Sequence, residues 1–151
     1  MLRTELNEAL KTAMKDKDET TVSTLRLIIA ALKDRDIAAR FKGNRDGIGD
    51  DDILGLLQSM VKQRRESIEL YEKGGRMELA QKEAEEIAVI ERFLPAQMAD
   101  GEMATAIAEI VEETGAESIK DMGKVMGALK QRYTGSMDFS KASQMVKEKL
   151  V

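Results

Sequence analysis

Apolar residues in this chain recur every three or four positions from Leu2 to Leu150 and nowhere alternate over any length. That spacing gathers side chains on one face of a helix, whereas a half-buried strand needs a period of two. The fold class expected is all-α: an N-terminal four-helix region followed by a small C-terminal three-helix domain. Leu2, Leu6, Ala9, Leu10, Ala13 and Met14 predict a helix over 2–16. The polar turn Lys15–Asp18 ends it, and Asp18 is placed to cap the next. That second helix carries Val22, Leu25, Ile28, Ile29 and Leu32 and fades into charge by Arg40. Residues 41–49 hold three glycines with Asn44 and Asp46, so a mobile, easily cut loop is expected there.

Asp50, Asp51 and Asp52 put acids at the start of a third helix, where they suit free amides and the macrodipole. Its stripe is Ile53, Leu57, Met60, Val61, Arg64, Ile68 and Tyr71, ended by Gly74-Gly75. Arg64 interrupts the apolar row, and Arg26 stands similarly beside the row of the second helix. Each is expected either to snorkel or to pair with a carboxylate of the fourth helix, Glu86 and Glu91 being the candidates; a ligand-facing arginine is the rival reading. The fourth helix uses Met77, Ala80, Ala84, Ile87, Ile90 and Leu94. Pro95, the only proline, stops it. The boundary falls there, giving domains over 1–95 and 97–151. Beyond it, Asp100 is placed to cap a fifth helix with Met103, Ile107, Ile110 and Val111 inward, ending near Gly115. Asp138 is placed to cap a seventh, with Phe139, Ala142, Met145, Val146 and Leu150 aligned.

The sixth helix is the unusual one. Ser118 followed by Asp121 reads as a capping box, so the helix is expected to start near Ile119. Met122, Val125, Met126, Leu129 and Tyr133 form its core stripe. Gly123 and Gly127 stand beside that stripe, well inside the helix, in a row with Lys120 and Lys130 and with Lys124 nearby. Each glycine costs about 1 kcal/mol relative to alanine. Either a neighbouring helix packs closely against the bare backbone, the commoner use of such glycines, or a ligand with a negatively charged backbone does.

Charge sharpens the choice. Residues 97–117 carry six acids and no base, whereas 118–151 carry seven bases and three acids. An acidic helix lying beside basic ones explains this blandly; a basic surface turned to an anionic partner explains it functionally. The net charge of −4 argues against indiscriminate coating of nucleic acid.

The chemical inventory is short. There is no cysteine and no histidine, hence no disulfide framework, no thiol nucleophile and no imidazole base. No phosphate-binding glycine loop and no nucleophile elbow is present, so no cofactor and no catalytic residue is expected. Asp50–Asp52 reads as a helix start rather than a metal site, and no metal is expected. The ten methionines fall mostly on core stripes. No apolar run approaches the ~20 residues of a membrane span and no signal core follows Met1, so a cytoplasmic protein without membrane contact is expected.

Four stretches carry a resemblance: Lys62–Tyr71 (KQRRESIELY), Gly74–Ala80 (GGRMELA), Glu91–Gln97 (ERFLPAQ) and Lys120–Met126 (KDMGKVM), with Leu25-Arg26 in addition. Together they resemble the YqeY family over essentially the full length. Residues 97–151 are similar to the C-terminal tail domain of GatB, the B subunit of the glutamine-dependent tRNA amidotransferase. The resemblance implies an N-terminal helical bundle, a three-helix C-terminal domain and, as in that tail, a role in binding tRNA. It also attaches a carbon–nitrogen ligase label with glutamine as amido donor, but the amidotransferase's catalytic domain and glutaminase partner have no counterpart here. The expectation is a non-catalytic tRNA-associated accessory protein whose RNA-binding residues are Lys120, Gly123, Lys124, Gly127 and Lys130. The alternatives are a protein-interaction adaptor whose N-terminal bundle docks a partner in translation or amide metabolism, and a ligase component that needs a partner subunit.

Overall fold

A computed structural model describes all residues, Met1–Val151. It is helical throughout, with α1 (Leu2–Lys15), α2 (Glu19–Phe41), α3 (Asp50–Lys73), α4 (Met77–Glu91), α5 (Asp100–Thr114), α6 (Met122–Tyr133) and α7 (Phe139–Leu150), and a 3-10 turn at Ile119–Asp121 leading into α6. Helix contacts divide the chain into two compact units, Met1–Leu94 and Pro95–Val151. No helix is long and apolar enough to cross a membrane.

The first unit closes around Leu6 of α1, Leu25 and Ile28 of α2, Ile53 and Leu57 of α3 and Ile90 of α4, all fully buried. Asp18 caps α2 as its sequence position demands: its carboxylate accepts the backbone N–H and the hydroxyl of Thr21. These bonds hold it below the ordinary carboxylate range. Gly49 rather than Asp50 is the N-cap of α3, so the three aspartates lie within the first turn and act through the helix dipole instead. They form no cluster able to share a cation.

α3 and α4 make a hairpin whose turn uses Gly75 at φ +72°. Arg64 bridges it: Nε donates to Glu86 at 2.9 Å and a terminal nitrogen to the Met60 carbonyl at 3.2 Å, with Glu83 at 4.0 Å. Both partners are nearly buried, 13% and 11% of their side chains remaining exposed. Glu91 pairs with Arg65 instead, at 3.7 Å. Arg26 is exposed and enters no ion pair, because it lies outside the flank of α2 that faces the core, so of these two arginines Arg64 alone makes the carboxylate pairing. Met14, Met77 and Ala84 also turn outward, while Glu86 and Val89 take inward positions on α4.

The loop expected to be mobile is fastened at its far end. Asp36 of α2 accepts the Ile48 N–H at 2.9 Å and both Nε and a terminal nitrogen of Arg3 on α1. Gly47 is buried at φ +80°, and a Cβ there would sit 2.6 Å from the Asp36 carboxyl carbon and 2.9 Å from an Arg3 nitrogen. Burial is the largest single influence on Asp36 and pushes its pKa up. The Arg3 and Ile48 hydrogen bonds and the charges of Arg3 and Arg40 together outweigh it, and the net shift is downward. One part-buried carboxylate thus joins α1, α2 and the approach to α3.

The second unit has its own core: Met103, Ile107 and Ile110 of α5, Val125 and Leu129 of α6, Met137 of the α6–α7 loop, and Ala142 and Val146 of α7. Its entry strap is tied to that loop. Met98 N–H donates to the Ser136 carbonyl at 2.9 Å and Gln97 Nε2 to the Gly135 carbonyl at 2.6 Å. Ala99, not Asp100, is the N-cap of α5, with the Glu102 carboxylate reaching back to its N–H at 3.2 Å. Asp138 caps α7, accepting from Ser140 and Lys141 N–H.

Candidate nucleic-acid interface on the sixth helix

The local sequence sets where α6 begins. The Asp121 carboxylate accepts the N–H groups of Glu117 at 3.0 Å and Ser118 at 3.4 Å. Folding back in this way tightens residues 119–121 into a 3-10 turn, so regular α-helix starts at Met122 rather than at Ile119. The two N–H groups, with the nearby charge of Lys124, hold the Asp121 carboxyl below its ordinary range. From there the stripe orients the helix: Val125 and Leu129 are fully buried, while Met122, Met126 and Tyr133 pack half-buried against the core.

The opposite flank carries the glycine row. Gly123 and Gly127 are exposed, and a Cβ built on either would meet nothing within 4 Å. No neighbouring helix therefore uses the bare backbone, and the close-packing explanation of these glycines is excluded for this structure. The two lie one turn apart, ~6 Å along the axis. Lys120, Lys124 and Lys130 are exposed and enter no ion pair, and the Thr134 hydroxyl closes the row by donating to the Lys130 carbonyl. The structure thus brings all five sequence-predicted site residues onto one open flank.

Other bases of this unit are partly neutralised. Arg132 pairs with Glu113 at 2.6 Å and Lys141 with Asp100 at 2.8 Å, both across to the acidic α5. A direct hydrogen bond and the acid's charge raise the pKa of each base. The acidic helix beside basic ones thus accounts for two of the seven bases. Lys147 and Lys149, exposed on α7, are left in the same state as the glycine-row lysines. What this arrangement offers is hydrogen-bond donors and positive charge.

A family model described as Yqey-like protein matches residues 3–150. The chain belongs to the YqeY-like family. Its curated relatives include the protein named Altered inheritance of mitochondria protein 41, mitochondrial, in several organisms. The Eremothecium gossypii protein is 40% identical over 91 residues, 60% of this chain but only 48% of its own length. The Vanderwaltozyma polyspora protein is 28% identical over 95% of this chain and 80% of its own length. The Meyerozyma guilliermondii protein is 36% identical over 91 residues, 59% of this chain and 44% of its own. The chain thus spans about half of two of these relatives and most of the third.

Those names correct one expectation. The relatives are mitochondrial by name, which overturns the cytoplasmic placement. That placement rested on missing features, an apolar span and a signal core, and such absences distinguish no one aqueous compartment from another.

Proposed function

We propose that this YqeY-like protein is a non-catalytic RNA-associated accessory protein that binds tRNA through the open flank of α6. The observation that carries the reading is the empty space over Gly123 and Gly127: two helix-weakening residues that no packing contact explains, bordered by three exposed lysines outside any salt bridge. Bare backbone lets a sugar-phosphate chain approach the helix surface, and the lysines supply phosphate contacts, which position a nucleic acid without reading its sequence. The resemblance of 97–151 to the amidotransferase tail supports tRNA as the form of RNA.

The test is a titration of the full chain against bulk tRNA, homopolymer RNA and duplex DNA at two salt concentrations. Lys124→Glu should weaken binding to every RNA and shrink the slope of log affinity against log salt by about one or more. Unchanged tRNA affinity and slope in Lys124→Glu, with Lys120→Glu and Lys130→Glu equally silent, would remove α6 as the interface. The paired bases favour a second reading, in which the basic helices serve only to dock α5. On that reading, Arg132→Ala and Lys141→Ala lower the melting temperature while no lysine variant affects RNA.

A further inference from the structure

α2 is apolar on two opposed faces, and only one of them is used. Thr21, Leu25, Ile28 and Leu32 are buried in the first unit's core. On the outward side, Leu27, Ala30, Asp34, Ile37 and Phe41 follow one another at intervals of three, four, three and four, the a and d positions of a heptad. All five are exposed, Leu27 by 48%, Ile37 by 41% and Phe41 by 88%. Ile37, Arg40 and Phe41 line an open recess of about 300 Å³ at the C-terminal end of this seam. The seam spans ~21 Å, about four turns.

One flank of the seam is uniformly cationic. Arg26, Lys33 and Arg40 occupy successive g positions, all exposed, and none is in an ion pair. The e positions, Ala31 and Ala38, carry no charge. Flanking charges select the partner and orientation of paired helices. An antiparallel second copy of α2 would set the cationic row against itself. A parallel copy would set it against alanines. Self-pairing is therefore unrewarded in one orientation and repulsive in the other. Asp34, in the middle of the seam, would have to enter the apolar layer of a lipid surface, which disfavours a membrane as occupant. Against a protein helix, a polar residue at one a position fixes register instead.

We propose that the outward face of α2 docks an amphipathic helix of a partner protein, apolar along about two heptads, acidic on the flank that meets Arg26, Lys33 and Arg40, and polar opposite Asp34. The α6 flank plays no part in this, so the two surfaces are tested independently.

The probes are two labelled three-heptad peptides with leucine at the a and d positions except one central asparagine. One has glutamate at both flanks and the other lysine, so that like-charge repulsion keeps each from self-pairing. The full chain should bind the glutamate peptide at least about tenfold more tightly than the lysine peptide. Arg26→Glu combined with Arg40→Glu should reverse that order. Phe41→Ala should weaken the glutamate peptide several-fold with no change in melting temperature, since the ring is exposed. Equal affinity for both peptides, or an order unmoved by charge reversal, overturns the proposal. So does binding to phosphatidylserine vesicles, or self-association by sedimentation equilibrium, that Phe41→Ala abolishes.

Discussion

Gly127→Ala separates a surface glycine from a packing glycine before any RNA is added. Gly127 stands mid-way along α6, so the substitution should gain the full interior propensity difference, about 0.8–1 kcal/mol. Nothing within 4 Å opposes the new methyl group, so no steric term subtracts from the gain. If residues 95–151 melt as their own unit, 1 kcal/mol corresponds to about 4–8 °C in a domain of this size. Gly127→Leu should gain slightly less and project a larger group into the same space. The assay is thermal unfolding by far-ultraviolet circular dichroism, followed by tRNA titration of the same preparations. The expected pattern is a rise in melting temperature in both variants with a fall in tRNA affinity, larger for leucine. A glycine that met another helix would give the opposite sign, because overpacking costs about 1–3 kcal/mol. The readings therefore differ by about 2–4 kcal/mol for leucine. A fall in melting temperature for Gly127→Ala would refute the structural reasoning. A rise with unaltered tRNA binding would leave the geometry intact and remove the glycine row from the interface.

Asp36→Asn should lower stability near neutral pH, and the difference from wild type should vanish in acid. A carboxylate with a lowered folded-state pKa stabilises fully above its ordinary value of 3.8 and loses that contribution as the pH falls below it, so denaturant melts in this range should converge. Gly47→Ala, which forces a methyl group into the same clasp at positive φ, should destabilise by more than 1 kcal/mol in the same melts. Glu86→Ala should cost about 2 kcal/mol by leaving Arg64 with only the longer Glu83 contact in the α3–α4 hairpin, whereas Arg64→Met with Glu86→Leu should recover part of it; equal losses in single and double variants would contradict the pair's role. Brief digestion with a non-specific protease should cut within 42–46 before 47–49, and a 97–151 fragment should retain helical circular dichroism at low temperature, its failure to do so counting against independent folding.

The period of the apolar residues was sufficient to identify an all-α chain and to outline each helix, because burial of one stripe is what stabilises a helix in a folded protein. Two caps, Asp18 and Asp138, were legible because each immediately precedes its apolar run. Asp50 and Asp100 fit the same rule and are not caps: Gly49 and Ala99 take the extended backbone that the cap position requires, and the aspartates move into the first turn. Local sequence cannot separate adjacent positions when the neighbouring residue accepts that backbone as well.

Other features depend on groups far apart in the chain. Asp36 lies 33 residues from Arg3 and 12 from Ile48, so its clasp has no sequence signature beyond a glycine in a loop. Glu86 rather than Glu91 meets Arg64 because the register of the α3–α4 hairpin sets which carboxylate arrives. The lysines and glycines of α6 were visible as a row in the sequence, but a row has two possible neighbours, a helix or the solvent. Only the packing of α5 and α7 against the opposite stripe decided that the glycine flank is open. The same holds for α2. Its heptad from Leu27 to Phe41 is written in the sequence, yet the placement of α1, α3 and α4 on the other face is what leaves it uncovered, since a helix with two apolar faces can bury either.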